Sequence, residues 1–406
     1  MLLSRIKYLF AKTRRAWSDG TLWEKARRFL RTSIRIPGEM TAAYVRQPKV
    51  YRHLDIAGGF ADHRSKPAHH RSNPEHLRRI IAAYKASKQA QKQADGAFAI
   101  RGLWTEWIDI NYRELIAALQ NEDESRLAAL LENLHREQFT IGAGSSFDAY
   151  VRYRTSLTGR YYVRVVWSRY RRLYHTLASP AEAVDYPLVG NPVGIPVKHQ
   201  VIPIHTFRYA YHALEMRHWL RDVPNAVVAE IGSGVGEQAY QLMRRTDTTV
   251  SKYVMFDIPE VASVCSYFLL SAFPDKRIRL FGEGPVSTEP CEDYDLAVFP
   301  HFESIRLADR SIDLFHNACS FSEMDSRSAT AYLGIIERAS RRYFSHINHD
   351  VRLRYQTRSS TNVLGSELVP DPTRFKLVFK KPRLFCLPED RPLPAYEYLY
   401  EKIETS

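Results

Sequence analysis

Apolar positions along this 406-residue chain change their period near its midpoint. Before residue 200 they recur every three to four positions. Leu77, Ile80, Ile81 and Tyr84 form one such face within His76–Leu119, and Leu127, Leu130, Leu131 and Leu134 form another within Glu124–Glu137. Val163, Val166, Tyr170 and Leu173 mark a third helix, with arginines around it. That spacing is the signature of amphipathic helices. Between them, Tyr51 to Pro74 reads as a polar loop. Its histidines (His53, His63, His69, His70) lack a carboxylate or thiolate at ligand spacing.

Asp185–Val197, rich in Pro and Gly, predicts a boundary. Beyond it, a helix over His205–Leu220 precedes short apolar runs at Val227–Ile231, Tyr253–Phe256, Leu296–Phe299, Ile312–Phe315 and Tyr343–Ile347. Helical patterns over Gly236–Arg245, Pro259–Phe273 and Ser326–Arg341 separate several of these runs. The alternation predicts an α/β fold, a doubly wound and mostly parallel Rossmann-like sheet, with a helical N-terminal domain. Phe375–Lys380 and Tyr396–Tyr400 predict an antiparallel edge pair. The expected division is 1–50 as a basic extension, 51–200 as a mainly helical cap and 201–406 as the ligand-binding domain.

Composition narrows the function classes. The chain is 45% hydrophobic and 25% charged, as folded globular chains are. Its four cysteines show no C-x-x-C spacing, which excludes a zinc finger and argues for a reducing, cytoplasmic setting. Of the formal +13, residues 1–36 supply ten Lys or Arg against Asp19 and Glu24, a net +8. With Trp17, Trp23 and Phe29 this segment could rest on an anionic bilayer surface at the inner face of the membrane, or pack on its own protein. It holds no apolar run long enough to span a bilayer. Because the excess charge is concentrated there, a nucleic-acid partner ranks last.

The chemistry concentrates at strand ends. Val227–Ala229 runs into Glu230, Gly232, Ser233, Gly234 and Gly236, and a helix follows at once. Glycines at such a turn permit positive φ and let a ligand lie against bare backbone. A dinucleotide fingerprint would place a third glycine at 237, where this chain has Glu237. A carboxylate there opposes a pyrophosphate, whereas Glu230 suits a cationic ligand. Asp257, beside Ile258, ends the second strand where it could accept both hydroxyls of a ribose, or cap the helix after Pro259. The third strand is either Ile278–Phe281 or Leu296–Phe299. The latter is preferred and places Pro300, His301 and Phe302 beside an adenine. The fourth strand ends in His316, Asn317, Cys319, Ser320 and Glu323, and the fifth in His349. Asn317 and Ser320 could hold the ligand, while His316, Glu323 and His349 are candidate bases. No metal triad is evident.

These segments together resemble the sugar O-methyltransferase family. Those that carry the resemblance are Glu230–Gly236, Phe256–Val261, Asn317–Met324 and Tyr343–His349, with Val189–Pro192 and Gly102–Trp104. It spans residues 100–350, and the Asn…Ser-x-x-Glu-Met signature is its most specific part. It implies S-adenosyl-L-methionine as cofactor, no metal, and methyl transfer to a hydroxyl of a sugar or glycan acceptor in polysaccharide assembly. The cap and the Gly190–Gly194 loop would then roof the cleft. An O-methyltransferase of aromatic or other secondary metabolites is a rival reading, and a non-catalytic binding protein on the same fold is another.

Overall fold

The computed structural model describes residues 56–65, 70–101, 103–140, 157–179, 182–286, 294–351, 363–385 and 394–403. Residues 1–36, and with them the membrane reading, lie outside the described residues. Among the described residues, no helix is long and apolar enough to cross a membrane.

The N-terminal half is helical, as its periodicity predicts, but in shorter pieces. These are α1 (Ile56–Gly59), α2 (Pro74–Gln91), α3 (Leu103–Asn111), α4 (Arg113–Gln120), α5 (Glu124–Leu131) and α6 (Leu157–Tyr174). Asn73 opens α2 by accepting from the Glu75 N–H, with Pro74 in its first turn. The helical pattern over His76–Leu119 breaks where Asp95 caps a short 3-10 turn at Gly96–Phe98. In α6, Val163, Val166 and Tyr170 are buried as the sequence predicts, joined by Trp167 and Tyr174.

The Asp185–Val197 segment contributes β1 (Ile195–Val197), which pairs with β2 (Gln200–Ile202). Helix α7 (Thr206–Leu220) leads into the main sheet. Its strands are β3 (Ala226–Ile231), β4 (Val250–Asp257), β5 (Ile278–Leu280), β6 (Leu296–Pro300), β7 (Ile312–Ala318), β8 (Ser340–His349), β9 (Phe375–Pro382) and β10 (Ala395–Lys402). They are ordered β5-β6-β4-β3-β7-β8-β10-β9. The strands from β5 to β8 in that order run parallel, and β10 is antiparallel to both neighbours. Helices α8 (Glu237–Met243), α9 (Pro259–Ala272) and α10 (Ser326–Ala339) connect the parallel strands.

Both candidates for the third strand are strands. Leu296–Pro300 lies against β4, and Ile278–Leu280 lies outside it at the edge. The central strands are buried on both faces, so they read as near-continuous apolar runs, broken in β3 only by Glu230.

Helical half and sheet share one core. Ile80, Leu115, Leu131 and Val166 belong to the same buried cluster as Val228, Met255 and Leu314. Polar ties reinforce it: Arg79 grips Glu283 at 2.6 Å, and Lys88 reaches the buried Glu260 at 3.0 Å.

Candidate active site

The chain order reverses between β3 and β7, so their carboxyl ends diverge into a crevice, the place where open α/β sheets bind ligands. A cleft of about 830 Å³, open mouth included, lies there. Its floor is Ile231, Gly232 and Gly234 from the end of β3, Phe256 and Asp257 from β4, and Ala318, Cys319 and Ser320 from β7. Its cover is Phe98–Arg101 and Trp104 from the helical half, facing Glu323–Asp325, Ser328 and Tyr332.

The glycine-rich turn takes the backbone form expected of it. Gly232, Gly234 and Gly236 have φ of +80°, +56° and +93°. At Gly232 there is no room for a side chain either, because a Cβ would lie 2.2 Å from Ser320 Oγ. The β3 and β7 ends are thereby held in contact: Ser320 Oγ and Asn317 Nδ2 both donate to the Ile231 carbonyl, at 3.2 and 2.7 Å.

Asp257 joins the two central strands. Its Oδ2 accepts from the Gly234 N–H at 2.9 Å and from Ser233 Oγ at 3.4 Å, and its Oδ1 accepts from the Ile258 N–H at 2.8 Å. The cap position of α9 is Ile258 rather than Asp257, so this carboxyl serves the glycine turn instead of the helix. Burial pushes its pKa up to about 7, against the pull of the N–H donors of Gly234 and Ile258. Oδ1, with one donor, keeps a lone pair for a further donor, which suits a ribose hydroxyl.

Glu323 forms the opposite wall. It accepts from Trp104 Nε1 at 2.9 Å. Burial raises its pKa to about 8, the neighbouring Cys319 raises it further, and the Trp104 N–H offsets part of the rise. Arg101 pairs with Asp325 at 3.3 Å, and Ser328 Oγ donates to the Ala97 carbonyl at 2.7 Å. Three contacts thus clasp Ala97, Arg101 and Trp104 onto the segment that follows β7. Cys319, at φ +71°, is a further wall residue. Burial opposes its ionisation, but Arg383, a hydrogen bond from His349 and Arg208 outweigh it, and the thiol falls to about 6.

Not every residue expected here reaches the cleft. Gly232, Gly234, Asp257, Ile258, His301, Ser320 and Glu323 line it; Glu230, Ser233, Gly236, Pro300, Phe302, Asn317, His316 and His349 do not. Strand alternation accounts for Glu230, which shares a face with Val228 and is buried against Tyr253, whose hydroxyl donates to it at 2.9 Å. Burial raises its pKa to about 8. It cannot neutralise a ligand in the cleft directly. His316 likewise lies beneath α7, its ring 6.4 Å from that of His212, and burial holds its pKa well below the usual histidine value. Phe302 packs on Phe281, and Asn317 is spent on the Ile231 carbonyl and on Asn348. Glu237 is buried against the Tyr186 hydroxyl at 2.9 Å, consistent with a turn not built for a pyrophosphate.

The Gly190–Gly194 loop does not roof the cleft. Its Asn191 and Pro192 carbonyls accept from the buried Arg136, at 2.9 and 3.0 Å, away from the lining. The cover is Phe98–Arg101 with Trp104. Of that segment, only Gly102-Leu103-Trp104 carried any signal in the sequence.

Strand order, the reversed β10 and the crevice at the β3–β7 divergence make this the Rossmann-like fold of class I methyltransferases. No family model matches the chain. No curated protein matches it either. Several solved structures resemble it. One is a Pyrococcus horikoshii protein described as a candidate RNA methyltransferase, with 14% identity and a TM-score of 0.31, covering 58% of this chain and 100% of that one. Another is an Aquifex aeolicus protein described as a SAM-dependent methyltransferase, with 13% identity and a TM-score of 0.30, covering 48% and 98%. A third is a Galdieria sulphuraria protein described as a candidate sarcosine dimethylglycine methyltransferase, with 14% identity and a TM-score of 0.33, covering 49% and 85%.

Proposed function

We propose that the chain is an S-adenosyl-L-methionine-dependent O-methyltransferase whose acceptor is a hydroxyl of a sugar or glycan. The observation that carries the reading is the pairing of Asp257 with the Gly234 N–H across the floor of the cleft, opposite the raised carboxyl of Glu323. Gly232 and Gly234 line the cleft with bare backbone, and Asp257 offers the remaining acceptor site of Oδ1 to the ribose of a nucleoside. Among the described residues, no arginine or lysine other than Arg101 lines the cleft, and Arg101 already faces Asp325. Such a lining favours a cation over a polyphosphate.

When bound, the cofactor supplies an electrophilic methyl group on a sulfonium. The protein's part is to bring the acceptor oxygen into line and hold it there, which is where most of the rate gain of such a displacement arises. Glu323 is placed to take the proton of the acceptor hydroxyl, and a carboxyl poised near neutrality can both accept and release it. Trp104 fixes the carboxyl and offers an apolar face.

The sugar acceptor is supported by the resemblance of Asn317–Met324 and Tyr343–His349, and by the mixture of Trp104 with the carboxyls of Glu323 and Asp325. The aromatic wall of Phe98, Trp104 and Tyr332 favours, as second reading, a phenolic acceptor. Incubation with methyl-labelled cofactor and a panel of nucleotide sugars, glycans and phenols, read by mass spectrometry, tests both. Label on a sugar oxygen is expected; label on a phenol alone selects the second reading. Failure to bind S-adenosylhomocysteine by calorimetry would overturn both.

A further inference from the structure

Beneath α7, on the sheet face away from Phe256 and Phe315, lies a second polar cluster that the methyl-transfer reading does not use. His212 and Glu215 come from α7, His316 from β7 and Glu397 from β10. Strand register puts the last two on one face: His316 is level with Ser345 and Glu397 with Ile347, and Ser345 and Ile347 share a face of β8. All three of His212, His316 and Glu397 are buried, with exposures of 4%, 2% and 3%.

The hydrogen bonding of this cluster is incomplete in one direction. His212 Nδ1 is 2.8 Å from Glu215 Oε2, and Glu215 Oε1 meets Lys381. Lys381 also reaches Glu397 Oε2 at 3.1 Å. That leaves His212 Nε2, Glu397 Oε1 and both ring nitrogens of His316 without a hydrogen-bond partner among the described residues. Buried polar atoms left so are costly, and several beside one another call for an explanation. With Nδ1 donating to Glu215, His212 Nε2 is a lone pair, and it faces a carboxylate oxygen 3.8 Å away. Two electron pairs so disposed repel unless a proton or a metal ion lies between them.

We propose that His212 Nε2, Glu397 Oε1 and a ring nitrogen of His316 bind a divalent transition-metal ion, for which Zn²⁺ is the fitting probe. One ligand atom from each of His212, Glu215 and Glu397 lies within 4.8 Å of the others, and the His316 ring, 6.4 Å from that of His212, stands just outside this trio. Two imidazole nitrogens and a carboxylate oxygen match zinc, whereas calcium and magnesium take oxygen ligands. Glu215 is then the outer carboxylate that fixes the tautomer and orientation of a ligating histidine. The His212 and His316 rings, 6.4 Å apart, sit slightly wider than the roughly 5–6 Å that two imidazoles on one ion adopt with Zn–N near 2 Å. Binding therefore requires the His212 and His316 side chains to close toward each other. None of these residues lines the cleft, so the ion would pin β7 and β10 to α7 and take no part in methyl transfer.

The full chain, untagged and freed of metal with a chelator, is titrated with Zn²⁺ by calorimetry, with metal content read by elemental analysis. One ion per chain is expected, with a rise in melting temperature. His316→Gln and Glu397→Gln should each weaken binding at least about ten-fold, and Glu215→Gln about ten- to a hundred-fold. No binding by the folded wild type, or unchanged affinity in folded His316→Gln and Glu397→Gln, overturns the proposal. Should those variants not fold, X-ray absorption of the Zn²⁺-loaded wild type decides. Two imidazoles with oxygen support the site, and fewer than two refute it.

Discussion

Trp104 Nε1 donates to Glu323 Oε2 at 2.9 Å, joining residues 219 apart in the chain and closing the helical half over the cleft. A hydrogen bond to the charged form of an acid lowers its pKa, so this contact works against the burial that raises Glu323 to about 8. Trp104→Phe removes the donor and keeps an aromatic wall. The rise of methyl-transfer rate with pH should then move to higher pH, while affinity for S-adenosylhomocysteine stays near wild type. A pH–rate profile of both proteins checks this. An unmoved profile would mean that Glu323 is not the titrating group.

Glu323→Gln keeps the shape and the Trp104 contact but cannot take a proton. Turnover should fall by about a hundred-fold, the lower end of what a positioned base contributes. Cofactor affinity should change little. Single-turnover transfer of a labelled methyl group separates the two effects.

Asp257→Ala removes the two carboxylate oxygens at the end of β4 and their hold on the glycine turn. Hydrogen bonds to a charged group contribute about 1.5–3 kcal/mol. Affinity for S-adenosylhomocysteine should therefore drop by roughly ten- to a hundred-fold, as read by calorimetry.

Gly232→Ala tests the turn itself. The added Cβ would meet Ser320 Oγ at 2.2 Å and Ser320 Cβ at 2.5 Å, and φ stays at +80°. The backbone conformation alone costs an alanine about 1–3 kcal/mol. Loss of melting temperature and of cofactor binding is expected. Adding Ser320→Gly should restore part of both, because it relieves the clash and leaves the backbone penalty.

Glu230 makes a stability prediction rather than a catalytic one. Burial raises its pKa from 4.5 to about 8, so the folded state keeps a proton that the unfolded chain releases above its ordinary value. Stability from this group is full below pH 4.5 and is lost as pH rises to about 8, by up to about 1.4 kcal/mol per pH unit. Glu230→Gln cannot lose that proton. Its melting temperature should therefore fall less between pH 6.5 and 8 than that of the wild type. The buried histidines are the same in both proteins, so their titration cancels in the comparison. Cys319, lowered to about 6, acts in the opposite direction in both proteins. Parallel melting curves would place Glu230 in contact with water.

Much of the fold was legible because its determinants are local. The 3.6-residue spacing of Leu77, Ile80, Ile81 and Tyr84 names a helix face, and the apolar run at Val227–Ile231 names a central strand. The glycines at 232, 234 and 236 name a turn with positive φ, and the acid at the tip of β4 follows from its place two residues before Pro259. Which strand lay beside β4 was narrowed to two by apolar pattern, and the short link to the next strand favoured the correct one.

Side-chain direction was not local in this way. Glu230 and His316 sit at the right strand ends but point to the face packed under helices, because alternate residues of a strand face opposite sides and pattern cannot assign sides when both are buried. The cover was equally hidden. Phe98, Arg101 and Trp104 meet Glu323, Asp325 and Ser328 only after the helical half docks on the sheet, and nothing near residue 100 announces partners near residue 325. The same holds for His212, His316 and Glu397, which lie on three separate elements. Local spacing carries the elements, the strand ends and the kind of turn; which buried acid faces a ligand and which faces a tyrosine depends on strand register and helix docking, and those are properties of the packed chain.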